Sequence, residues 1–237
     1  MIFYIPLTLI LYAMSFPVFL LSSISMFLIS LISMPLFYNS IKYFCRVILF
    51  SMALCPKIIG SFPKNGTFII MMNHSSFLDI FLFPLFMQGM WSGVTAKENF
   101  KYPILSTILQ RLNAISIDRT NKKNALQSIY LAEQAIYKGY HIGILPEGSR
   151  TITGKIGILK KGGFHMAINT QTPILPIGIS GAFSVKPKNR WWMKPGPIII
   201  NIGKPIFLNN KNKVSINNLV KIVESKLKFL SGESCEY

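Results

Sequence analysis

The sequence predicts an α/β fold: a mixed, largely parallel sheet flanked by helices, preceded by an apolar helical hairpin held in a membrane. Three observations lead there. Beyond residue 66, short apolar runs alternate with helical patterns of about 10–15 residues, the order of βαβ units. Residues 1–41 contain no Asp, Glu, Lys, Arg or His, and the first charge is Lys42. The 237-residue chain is 51% hydrophobic with a mean hydropathy of +0.43, too apolar for an ordinary soluble protein. The expected division is a membrane-embedded or interfacial helical segment over 1–56 and an α/β domain over 57–237.

The first segment lacks the basic start and small-residue cleavage site of a signal peptide. As one helix, residues 1–38 would run about 57 Å against a hydrocarbon core of roughly 30 Å. Pro17 is expected to divide the run into arms 1–16 and 18–34, with Pro35 closing the second. Each arm is about 25 Å long, short for a span. A hairpin in one leaflet, or two short tilted spans, therefore fits better than a single pass; a buried core helix pair is the alternative. Residues Ile41 to Leu54 then read as an interfacial helix with a narrow basic edge, Lys42 and Arg46.

The α/β region opens with Thr67 to Met72, an apolar run bounded by Lys64-Asn65-Gly66 that reads as a buried strand. Ser76 and Asp79 fit a capping box ahead of apolar Ile80 to Phe83, so a helix begins there. Further strands are expected at Ser92–Ala96, Ala114–Asp118, His141–Leu145, Ile174–Ile179 and Ile198–Ile202. Helices are expected at Tyr102–Leu112, Lys123–Tyr137, about Lys160–Asn169, and Ile216–Leu227. Pro187 to Pro197 reads as a loop, and its Trp191 and Trp192 among Lys186, Lys188, Arg190 and Lys194 suit either a bilayer interface or packing.

The chemistry concentrates in Asn73-His74-Ser75-Ser76-Phe77-Leu78-Asp79, which sets one of three histidines beside the first of eight acidic residues. On one continuous helix, residues five apart point about 140° away from each other. The two side chains therefore meet only if His74 lies in the strand-to-helix turn and Asp79 in the first helical turn. An imidazole held by a carboxylate is a general base of fixed tautomer; a plain cap and a turn residue are the structural alternative. His74, Lys97, Arg119 and Arg150 each follow a strand, and ligands of open α/β sheets bind at the strands' C-terminal edge. A base with three cations suits a phosphate or a developing oxyanion. In Leu145-Pro146-Glu147-Gly148-Ser149-Arg150, Gly148 permits a tight turn and Arg150 offers a planar fork. Glu147 either orients Arg150 or forms a structural ion pair with it. Ser75 and Ser76 lack a nucleophile elbow, and His141 and His165 have no ligand spacing.

The net charge of +17 fits an anionic membrane surface, which accounts for the apolar segment as well. Nucleic acid accounts for the charge alone, and no nucleic-acid-binding signature is present. Cys45, Cys55 and Cys235 show neither metal nor disulfide spacing.

Taken together, residues 73–79, 114–119 (Ala-Ile-Ser-Ile-Asp-Arg), 145–150 and 172–177 (Thr-Pro-Ile-Leu-Pro-Ile) resemble the glycerolipid acyltransferase family. The likeness spans roughly 57–207 and is greatest to the bacterial 1-acylglycerol-3-phosphate acyltransferases. It implies His74 as general base and Asp79 as its orienting partner. It also implies that Glu147, Gly148, Arg150, Lys97 and Arg119 bind the acceptor phosphate. Asn113 stands where that family usually has Gly, and Ser116 where an aromatic is common. The implied reaction moves an acyl chain from coenzyme A or acyl carrier protein to 1-acylglycerol 3-phosphate, giving phosphatidic acid. It needs no cofactor, metal or acyl-enzyme, and takes place at the cytoplasmic face of the inner or plasma membrane. Glycerol 3-phosphate, another lysophospholipid or a lyso-aminolipid are alternative acceptors. A non-catalytic protein binding anionic lipid is the rival of a different class.

Overall fold

The computed structural model describes residues 3–117, 122–208 and 215–233. Two helices lead: α1 (Tyr4–Ile32) and α2 (Met34–Ser51). In chain order there follow β1 (Lys57–Ile59), β2 (Ile69–Met72), α3 (Asp79–Leu82), β3 (Trp91–Ala96), α4 (Pro103–Arg111), β4 (Ile115–Ile117), α5 (Lys122–Tyr137), β5 (His141–Ile144), α6 (Gly162–Thr170), β6 (Ile174–Ser180), α7 (Ala182–Val185), β7 (Ile199–Ile202) and α8 (Ile216–Ser231).

The hairpin differs from expectation in where it turns. Pro17 lies inside the unbroken α1; it removes one N–H and leaves the preceding turn one bond short, a loss that a long apolar helix absorbs. The turn is the single extended residue Ser33 (φ −157, ψ 120), whose side chain accepts from Leu36 N–H. Pro35 lies in the first turn of α2, where a missing N–H costs nothing. It opens the second helix rather than closing it. At about 1.5 Å per residue, α1 is roughly 43 Å long and α2 roughly 27 Å.

Helix α1 is inside out. Thr8, Ser15, Ser22, Ser23 and Ser30 are buried, whereas Leu9, Ile10, Met14, Phe16, Leu21 and Leu28 are exposed. Thr8, Ser15 and Ser22 are seven apart, which keeps them on one side. The hydroxyls of Thr8, Ser15, Ser23 and Ser30 return to carbonyls of the preceding turn.

The seven strands form one sheet in the order β1-β7-β6-β2-β5-β3-β4. From β6 to β4 every pairing is parallel, while β7 runs antiparallel to β6 and carries β1 alongside in parallel. Strand β1, the three residues that follow Pro56, is too short to show a period and is not among the expected strands. Strand β2 is central and fully buried, as a strand covered on both faces must be. Its side chains alternate between two cores. Ile70 and Met72 join Phe37, Tyr38, Ile41, Ile48 and Leu49 on the hairpin face. Ile69 and Met71 join residues of α5, α6 and α8 on the other.

Candidate active site

The central strand delivers the site. Just past β2, the Asn73 side chain acts as one more ladder rung: its Nδ2 donates to Ile179 O (3.0 Å) and its Oδ1 accepts from Ile179 N–H (2.7 Å). His74 follows, with its main chain held on both sides: its N–H donates to Glu147 Oε1 (2.7 Å), and its carbonyl accepts from Thr151 N–H (2.9 Å). Asp79 opens α3, and its Oδ2 accepts from His74 Nδ1 (2.7 Å), Ser75 N–H (2.9 Å) and Ser76 N–H (3.0 Å). The carboxylate thus sits at a helix start against two backbone donors and the imidazole. With Oδ2 accepting, Nδ1 is the protonated ring nitrogen, so Nε2 presents a lone pair. The Asp79 side chain is 1% exposed and that of His74 21%, a buried anchor under an accessible base.

The expected capping box forms by half. Asp79 reaches back to Ser76 N–H, but Ser76 Oγ accepts from Leu78 N–H and donates to Lys186 O (2.7 Å).

Glu147 does not make the contact with Arg150 that the sequence suggests. Both of its oxygens hold main-chain donors, His74 N–H and Gly157 N–H (2.9 Å), and it makes no ion pair with Arg150 among the described residues. Burial pushes its carboxyl upward, opposed by those two N–H groups. A carboxylate so engaged holds the His74 main chain in place. Gly148 adopts φ +74, with its N–H on Leu145 O (2.9 Å), the tight turn a glycine permits.

Arg150 is half-buried and has no hydrogen bond or ion pair among the described residues. It lies next to Lys186, whose ammonium is pushed down first by burial and then by Arg150 and Arg190. Lys97 begins the turn after β3. Because β5 separates β2 from β3, Lys97 starts about 10 Å along the edge from His74, two strand spacings away. Arg119 lies outside the described residues. His74, Lys97 and Arg150 therefore share one edge of parallel strands. Asn113 adopts φ +50, the left-handed conformation that Asn tolerates.

Sequence reasoning missed two contributions. Asn73 could have been suspected from a lone amide directly after a buried strand. Lys186 gave no signal, since its place depends on Ser76, 110 residues earlier in the chain.

The Acyltransferase family model matches residues 57–180. The chain is 31% identical over 169 residues to a 1-acyl-sn-glycerol-3-phosphate acyltransferase of Cocos nucifera, covering 71% of this chain and 55% of that protein. It is 30% identical over 158 residues to one of Pseudomonas aeruginosa, covering 66% and 61%. Among solved structures, a 1-acyl-sn-glycerophosphate acyltransferase from Thermotoga maritima superposes with a TM-score of 0.84 at 25% identity, covering 98% of this chain and 96% of that one. The chain spans less than two thirds of the length of the first curated relatives it matches.

Proposed function

This chain belongs to the Acyltransferase family, and from that membership we propose that it transfers an acyl group from a thioester to the free hydroxyl of 1-acylglycerol 3-phosphate, giving phosphatidic acid. The observation that carries the reading is the His74–Asp79 contact at the centre of a cation-lined sheet edge. His74 Nε2 takes the hydroxyl proton as the oxygen attacks the thioester carbonyl. Asp79 stabilises the imidazolium that forms. The tetrahedral intermediate then collapses, the carbon–sulfur bond breaks, and the thiolate recovers the proton from His74. Arg150 and Lys97 hold the acceptor phosphate, with Arg119 as a third candidate. The donor is acyl-coenzyme A or acyl carrier protein.

We read the hairpin as embedded in lipid. Helix α1 meets the length and composition of a membrane span, and most of its large apolar residues face outward while its buried hydroxyls face the protein. Lipid satisfies that arrangement and water does not. The surrounding positive charge then favours an anionic membrane, at its cytoplasmic face.

The test is an acyl-transfer assay on membranes, crossing 1-acylglycerol 3-phosphate, glycerol 3-phosphate and other lysolipids with both thioester donors. Product from 1-acylglycerol 3-phosphate should dominate. His74→Ala should abolish it without loss of membrane-bound protein, and Asp79→Asn should lower it nearly as far. A His74→Ala enzyme retaining activity within about tenfold, or 1.4 kcal/mol, would remove His74 as base and leave a lipid-binding protein as the better reading.

A further inference from the structure

We propose that Thr8 and Arg190 are positioning residues for this reaction, joining the first turns of α1 to the strand-end segment that carries His74 and Asp79. The inference rests on the transfer reading above for its kinetic arm only. Its basis is an unbroken set of contacts. Thr8, fully buried, accepts from Met193 N–H at 2.9 Å and donates to Tyr4 O at 2.5 Å. One helical turn on, Tyr12 Oη donates to Trp191 O at 3.0 Å. Tyr4 stacks on Trp192 (centroids 5.5 Å apart, planes 8° apart), and the Arg190 guanidinium lies 4.1 Å over the same indole.

Arg190 then gathers the segment leading to the site. Its Nη2 donates to Ser184 O and Val185 O, both at 2.6 Å, and its Nε donates to Trp192 O at 3.1 Å. Lys186 Nζ returns a bond to Arg190 O. Lys186 O in turn accepts from Ser76 Oγ, and Ser76 N–H is one of the three donors on Asp79. A rigid fork serving three carbonyls is a task no point charge can perform. Along this route α1 reaches Asp79 through main-chain carbonyls, and Lys186 is fixed beside Arg150.

The consequence is that detaching α1 from residues 191–193 loosens the dyad without touching it. The experiment uses the full-length protein in anionic phospholipid vesicles and compares Thr8→Val, Thr8→Ser and Arg190→Lys with wild type. Two readouts are taken: amide hydrogen exchange of residues 73–79 and 184–194, and the kinetics of transfer. Thr8→Val and Arg190→Lys should speed exchange in both segments and lower kcat by about tenfold, the rate equivalent of one buried hydrogen bond, with the thioester KM little changed. Thr8→Ser keeps the hydroxyl and should behave as wild type. Ser23→Ala, on the same buried side of α1 but away from the loop, should also change neither readout. If faster exchange in Thr8→Val stops at residues 190–193 and spares 73–79, the proposal fails. If wild type itself transfers to no acceptor, the transfer reading fails and the exchange data still decide this one.

Discussion

At His74 three levels of support are nested: a side-chain amide that extends the sheet, a buried glutamate that clamps the main chain, and an aspartate that fixes the ring. The dyad was legible because its partners are five residues apart and flank a strand-to-helix turn, so local geometry alone brings them together. Glu147 and Lys186 were not, because their partners lie 73 and 110 residues away and no spacing rule reaches that far. Arg150 differs from both in having a guanidinium without a hydrogen bond or ion pair among the described residues. Arg150→Ala should raise KM for the phosphate-bearing acceptor about ten- to a hundredfold, the loss of a charge-assisted contact of roughly 1.5–3 kcal/mol. The thioester KM should stay near its wild-type value, and Arg150→Lys should recover only part of the loss. Equal rises in both constants, measured by steady-state kinetics, would move Arg150 out of acceptor binding.

Among the elements, the parallel strands were legible as apolar runs between helical patterns, whereas β1 was too short for any period. The prolines misled because the same residue ends one helix and begins another, and only the Ser33 turn decides which. Strands β2 and β5 meet at a second histidine far from the chemistry. His141 Nδ1 accepts from Phe68 N–H at 3.1 Å, its ring stacks on Phe68, and Phe62 meets it edge-on. Burial lowers its pKa from 6.5 to about 4, and protonation would abolish the acceptor. A base depressed in the folded state weakens folding on acidification, because below the ordinary pKa the unfolded chain takes up the proton first. Stability should therefore be undiminished above about pH 7 and fall by about 2 kcal/mol near pH 5. His141→Gln keeps an acceptor that does not titrate in this range. In unfolding measured in detergent, the stability of wild type relative to His141→Gln should fall by about 2 kcal/mol as pH falls from 7 to 5. A constant gap would show that His141 does not titrate as described.

The whole molecule is a sheet with unlike covers: α5, α6 and α8, which include Glu133, Lys221, Glu224 and Lys226, on one face, and on the other a hairpin without charge before Lys42. Composition alone located that asymmetry, since a chain of 41 uncharged residues has few other uses, but it could not reveal that the hydroxyls of α1 point inward. On the embedded-hairpin reading, 1 M salt, with a Debye length of about 3 Å, should leave the full-length protein on membranes and detergent should release it. Sedimentation after each wash decides the matter, and release by salt alone would mean that charge holds the protein to the membrane. The contact between Thr8 and Met193 also spans 185 residues. At about 5–20 residues per second, synthesis of that interval takes roughly 10–40 s. The hairpin therefore leaves the ribosome long before its docking loop exists, with the Thr8 hydroxyl bonded only within α1 until Met193 follows. The fastening of α1 to residues 191–193 should therefore come at least that long after α1 itself is made.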